Sequence, residues 1–439
     1  MKTSPFSHQS AWHRSGPTSL AARPRTTTGP AVIIGADRLT IQRGTLGQWQ
    51  GRSVAMDLSG CHTISLFGVQ GFGKSYSMGA IVEMATAALP GINTLPHPLA
   101  TLAFHYHRSD AYTPELLACR HPNDAPLEVA RLGRAGFRPR GLPDVVLLVP
   151  AAKVDARRLE NPGVEVQPIA FAPSELGAEG WRLLMCAAGN DALYMRQLVS
   201  VLRRHRDRLD LEVLRKELDA VDLAPAARRL VDDRLALAAE YLSPDRPLST
   251  LFRPGRLVIV DLRDEWIEKD EALVLFIVLM RIFARGGTDV TPFNRLVVFD
   301  EAHKYFGDSD MVSEVVETIR EVRHQGTSVL IASQDPISIN RAVIELSSTL
   351  VLHRLTSPVW LRHLKGAVSA LETVTERDLA SLHSGEALIW SQRSTERCFT
   401  ERLQRVQIRT RVSKHGGATR SVLDAALDPA TREKRLRKA

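Results

Sequence analysis

Four cysteines in 439 residues, none of them in a C-x-x-C pair, leave Cys61, Cys119, Cys186 and Cys398 scattered along the chain. That spacing excludes a zinc ribbon or a disulfide framework and fits reduced thiols in a cytoplasm. Long apolar runs are also missing. The longest near the middle, Ala272 to Met280, is far shorter than the roughly 20 residues of a membrane span. No secretory hydrophobic region stands near the N-terminus, so the expectation is a cytoplasmic chain with no membrane partner. Internal repeats are absent. Acids are missing from residues 1–30, which carry Lys2, Arg14, Arg23 and Arg25 amid Ser, Thr and Pro. That composition reads as a disordered basic tail.

What is present describes a globular protein. Hydrophobic residues make up 44% and charged residues 24%, enough to bury a sizeable core. The net charge of +8 is uneven, because residues 393–439 hold 13 Lys or Arg against 5 acids. Residues 406–439 read as a basic C-terminal tail. Arg405, Arg409, Arg411, Lys414 and the terminal cluster are candidates to follow a phosphate backbone, with a solvated appendage as the alternative.

Strand-like runs alternate with helical ones. "AVIIGADRLTIQRG" and "SVAMDLSG" form a short N-terminal β region over 31–60. Buried-strand candidates then follow at "LATLAFHYH", "DVVLLVP", "RLVIVDL", "RLVVFD", "SVLIAS", "STLVLHRL" and "EALIW". Residues 174–249 are helical in pattern and open on a capping-box-like Ser174. The expected fold class is α/β: a mostly parallel sheet over 61–173 and 250–405, interrupted by that helical insertion.

Three stretches carry chemistry. In "SLFGVQGFGKSYSMG", Gly68, Gly71, Phe72, Gly73, Lys74, Ser75 and Tyr76 lie between an apolar strand and a helix. Gly68, Gly73, Lys74 and Ser75 match G-x-x-x-x-G-K-[ST], a phosphate loop whose backbone N–H groups and helix N-terminus cradle phosphates. Lys74 reaches the β- and γ-phosphates and Ser75 holds Mg²⁺, which implies ATP and Mg²⁺ as cofactors. In "RLVVFDEAHKYF", Asp300 and Glu301 end a strand, where ligands of parallel sheets gather. Asp300 suits Mg²⁺, and Glu301 suits polarising the attacking water. In "TSVLIASQDP", Gln334 ends another strand, where it is a candidate γ-phosphate sensor. Arg320 and Arg323 sit on the helix just upstream; each is either a solvated helix arginine or a charge completing a neighbour's site.

The order "GVQGFGKSYSMG", "VIVDLR", "LVVFDEAHKYF", "IREVRHQGTSVLIASQDP", "VLHRLTSP" and "LHSGEALIW" resembles the HerA-like branch of the HerA–FtsK superfamily. The resemblance spans about residues 31–405 and implies a RecA-like P-loop core. It also implies a hexameric homo-oligomer that moves DNA, with a nuclease partner in DNA processing or antiviral defence. By it Asp300 is the Walker B acid, Glu301 the catalytic base, Gln334 the sensor and Arg323 a finger acting in trans; Arg354 matches a recurrent arginine. One departure stands out: the family's D-x-x-G-E is replaced by "FHYHRSD", with Asp110 an approximate substitute. His105 and His107 in that stretch form an H-x-H with no third metal ligand nearby. "DEAH" also invites a superfamily 2 helicase, but too little chain follows "ASQDP" for a second domain of usual size. A nucleotide-switched scaffold, or a type IV secretion ATPase, is the alternative reading.

Overall fold

The computed structural model describes residues 31–185, 200–201, 203–205, 210–221, 224–243, 247–286, 293–307 and 311–417. The expected N-terminal tail, the last part of the C-terminal tail and the middle of the helical insertion lie outside them.

Among the described residues, fourteen strands join in one sheet. In chain order they are β1 (Val32–Ile34), β2 (Arg43–Trp49), β3 (Arg52–Asp57), β4 (Thr63–Phe67), β5 (Asn93–Thr94), β6 (Ala100–His107) and β7 (Val145–Val149). Then follow β8 (Glu165–Pro168), β9 (Leu257–Arg263), β10 (Arg295–Phe299), β11 (Thr327–Ser333), β12 (Thr349–Leu352), β13 (Glu386–Ser391) and β14 (Gln404–Ile408). Eight run parallel in the order β12-β4-β11-β10-β6-β9-β7-β8. Beyond β12 the sheet turns antiparallel through β13, β14, β2 and β3. The N-terminal β region is therefore the far wing of the same sheet, attached through β14.

Period-two alternation explains the two-sided core. Ile64, Leu66, Val298 and Leu330 face one layer, while Phe67, Val297, Phe299 and Ile331 face the other. The first layer is covered by helix α1 (Lys74–Thr86), with α2 (Pro126–Arg134) and α3 (Val154–Glu160) along the strand ends. The second holds α4 (Ala178–Met185), α5 (Leu211–Asp219), α6 (Pro225–Glu240), α7 (Lys269–Arg285) and α8 (Val312–Arg323). Helix α7 is the apolar run noted in the sequence. Its residues from Ala272 to Met280 are all buried, because the sheet covers one side and α4 and α8 the other. No helix among the described residues is long and apolar enough to cross a membrane.

The C-terminal boundary differs from the expectation. Residues 406–408 are the end of β14, and residues 409–417 form a strap along α1. Glu83, fully buried in α1, accepts bonds from Arg409 Nη1 (2.5 Å), Val412 N (3.2 Å), Ser413 N (3.0 Å) and Ser413 Oγ (2.6 Å). Arg411 is 2% exposed and lies against Gly79, where a Cβ would collide with its guanidinium. Arg405 bonds Ser381 and Lys414 bonds Asp124. Arg409 and Arg411 are thus engaged within the fold, while Arg405 and Lys414 form partly exposed pairs at the surface. Buried Glu83 on α1 drew Arg409 and Arg411 in, which a linear count of charge does not reveal.

Candidate nucleotide-binding site

Three neighbouring strands, β4, β11 and β10, end side by side. From β4 the chain turns through the glycine loop into α1. Gly71 (φ 82°) and Gly73 (φ 103°) take left-handed conformations that favour glycine. At Gly68 a Cβ would stand 2.6 Å from the His353 Cβ, so that side-chain-free approach lets the loop sit on β12's end. His353 is fully buried below the loop. Its Nδ1–H donates to the Glu386 carbonyl (2.8 Å), which leaves Nε2 to accept from Ser77 Oγ (2.9 Å). Burial lowers its pKa to about 4, so the ring is neutral.

The chemistry converges on Glu301. Lys74, 3% exposed, donates to Glu301 Oε1 at 2.7 Å and stands 3.8 Å from Asp300 Oδ1. Gln334 Nε2 donates to both Glu301 oxygens, at 2.9 and 3.0 Å, and His303 Nε2 is 3.5 Å from Oε2. Glu301 itself holds a left-handed backbone (φ 51°), uncommon for a side chain of its size. Burial alone would lower the Lys74 pKa, but the Asp300 and Glu301 carboxylates outweigh it and raise it. Burial likewise pushes the Asp300 carboxyl up, and is outweighed by His105 (Nδ1 at 3.8 Å, an ion-pair distance) and Lys74. The pair therefore stays charged in the dry site.

A cleft of about 280 Å³ opens over the loop. Lys74, Ser75, Tyr76 and Gln334 line it from the core, Arg131 from α2, and Arg409, His415 and Gly417 from the strap. Tyr76 anchors these walls, its hydroxyl donating to Glu128 Oε2 (3.1 Å) and accepting from Arg411 N (2.8 Å). Phe72 carries the Arg354 guanidinium over its ring, 4.8 Å from the centroid. Arg354 thus stands at this loop, whereas Arg323 does not. Arg323 ends α8 and lies at the amino ends of the strands, in a second cleft lined by Arg38, His62 and Arg393.

Sequence reasoning missed Glu115. It opens a 3₁₀ turn (Glu115–Arg120) and lines the cleft beside Ser75. Burial, then the charge of Asp300, pushes its carboxyl up to about 7. Nothing in "TPELLACR" marks it, since no spacing ties it to the loop. Asp110, the substitute considered for the missing family acid, is instead paired with Arg157 (2.5 Å) and Lys153 (3.3 Å). His105 Nε2 bonds the Tyr112 carbonyl (2.8 Å), and His107 Nδ1 accepts from Ser109 N (2.8 Å).

The donor set fits Mg²⁺. Asp300 Oδ1 and Glu115 Oε2 are buried oxygens without a hydrogen-bond partner, and Glu115 lines the cleft together with Ser75. No group of three His, Cys, Asp or Glu able to hold a metal occurs among the described residues. A Mg²⁺ ion that takes most of its ligands from phosphate and water needs none.

No family model matches the chain, and no curated protein matches it. Solved structures do. VirB4 of Thermoanaerobacter pseudethanolicus is similar at 12% identity, over 83% of this chain and 96% of that one, with a TM-score of 0.50. This is a RecA-like P-loop NTPase fold. The bacterial conjugative coupling protein TrwB is similar at 11% identity, over 88% of this chain and 92% of that one, with a TM-score of 0.49. The genome packaging NTPase B204 of Sulfolobus turreted icosahedral virus 2 is matched at 10% identity over 81% of this chain and 99% of that one, with a TM-score of 0.35.

Proposed function

We propose that the protein is an ATPase of the HerA–FtsK type that hydrolyses Mg-ATP to move or remodel DNA as a homohexameric ring. A nuclease partner in DNA processing or antiviral defence completes the reading. The observation that carries it is the clamp on Glu301 between Lys74 and Gln334 at the mouth of a phosphate loop. A pure nucleotide switch needs no carboxylate fixed in that position.

The residues divide the work. Backbone N–H groups of the loop and Lys74 hold the phosphates. Ser75 and Asp300 would hold Mg²⁺, which would neutralise charge on the phosphates. Gln334 orients the water, Glu301 accepts its proton as the water oxygen attacks the γ-phosphorus, and the bond to ADP breaks. Arg323 acts in trans: it lies at the opposite strand ends from its own loop, beside Arg38 and Arg393, where a neighbouring subunit's nucleotide brings the complementary charge.

The test is ATP turnover with and without DNA, using Glu301→Gln as the control. DNA-stimulated turnover lost in the variant supports the motor. Unstimulated, slow turnover with intact ATP binding supports the nucleotide-switched scaffold or secretion-type ATPase instead.

A further inference from the structure

Two carboxylates next to the phosphate loop each keep a buried oxygen without a hydrogen-bond partner. Asp300 is 3% exposed, yet its Oδ1 has no hydrogen-bond partner, and Glu115 Oε2 is buried in the same condition. Lys74 donates to Glu301 at 2.7 Å and comes only to 3.8 Å from Asp300 Oδ1, beyond hydrogen-bond reach. Buried carboxylate oxygens without a hydrogen-bond partner are costly, and native structures satisfy them with a proton, a water or a cation. Glu115 lines the cleft together with Ser75, and Asp300 stands 3.8 Å from the Lys74 ammonium of the same loop, so oxygen donors from three separate parts of the chain border the phosphate loop. The strap seals that place: a Cβ on Gly417 would stand 2.5 Å from Glu115 Oε1, and one on Gly416 2.6 Å from its carbonyl.

We propose that Glu115 is a carboxylate of the Mg²⁺ site, acting with Ser75 and Asp300 when Mg-ATP is bound. The inference rests on the ATPase reading and adds to it a residue outside every motif of the chain. Mg²⁺ keeps several waters and takes one or two carboxylates in such sites, so Glu115 serves by accepting hydrogen bonds from those waters or by direct contact.

The experiment titrates Mn²⁺, followed by electron paramagnetic resonance, into the full chain with a non-hydrolysable ATP analogue. Analogue binding in EDTA is measured in parallel. Glu115→Gln is expected to leave metal-free binding no weaker, because a negative charge beside the phosphates is removed, and to weaken Mn²⁺ about 10–100-fold, the usual cost of losing a supporting ligand. Glu115→Asp should fall between the two. Gly417→Ala, which displaces the carboxylate without removing its charge, should weaken Mn²⁺ in the same direction. Unchanged Mn²⁺ affinity in Glu115→Gln overturns the assignment while leaving the ATPase reading intact. Equal losses with and without metal also overturn it, because they make Glu115 a packing residue. A wild-type chain that binds no analogue at all overturns the ATPase reading and the inference together.

Discussion

Replacing Glu301 by Gln should tighten ATP binding while abolishing turnover. In the free site Lys74 is occupied, donating to Glu301 Oε1 at 2.7 Å with only 3% of the residue exposed. Incoming phosphates must draw that ammonium away from a carboxylate or share it. A hydrogen bond between charged groups contributes about 1.5–3 kcal/mol net, and each 1.4 kcal/mol is tenfold in affinity. Removing the negative charge while keeping the shape should therefore lower the ATP dissociation constant by about 10–100-fold. Gln334 still finds an acceptor in the new amide oxygen, so the loop geometry survives. Loss of the general base should cost about 10²–10⁴ in the chemical step. Titration calorimetry reads the first effect, and single-turnover hydrolysis of labelled ATP reads the second. The reasoning is refuted if Glu301→Gln weakens ATP as much as Lys74→Ala does, or if turnover falls less than tenfold.

Arg323→Ala should bind ATP normally yet lose about 10³–10⁵ in hydrolysis, the contribution of trans-acting arginines elsewhere. Mixed with Lys74→Ala subunits it should regain partial activity, because some interfaces then pair an intact Lys74 with an intact Arg323; normal turnover in Arg323→Ala alone sinks the trans role. His353 sets an acid limit on stability. Its folded pKa of about 4 lies below the ordinary 6.5, so its contribution is full above 6.5 and is lost as pH falls toward 4. That amounts to about 3 kcal/mol. Urea midpoints should fall across that window, with His415, held at about 4 by burial and Arg411, adding to the slope. His353→Gln should flatten it, and an unchanged pH profile would count against the assignment. Glu83→Ala removes the carboxylate that pairs with half-buried Arg409 and buried Arg411 and should destabilise the chain by about 3–5 kcal/mol in denaturant melts. A loss under about 1 kcal/mol would mean the strap is held by packing instead.

Local patterns carried the parts of this protein that depend on local physics. Gly68 through Ser75 were legible because a phosphate loop needs left-handed backbone at Gly71 and Gly73 and a helix opening at Lys74, all within one short stretch. Asp300, Glu301 and Gln334 were legible because each ends a buried apolar strand, and parallel strands that lie side by side deliver their ends to one place. The parallel core followed from runs such as "RLVVF" and "TSVLIAS", too apolar for a sheet with a wet face.

Tertiary structure alone decided the rest, because it depends on contacts between residues far apart in the chain. Glu115 joins Ser75 only when the connection after β6 folds back over the loop. His353 supports the loop from β12, 276 positions from its partner Ser77. The basic residues after β14 looked like a tail by composition. Their partner, Glu83, lies 326 positions from Arg409 and is buried in α1, where a charge must be paired or pay its full desolvation. Charge composition counts such residues but cannot say which of them the core will take in.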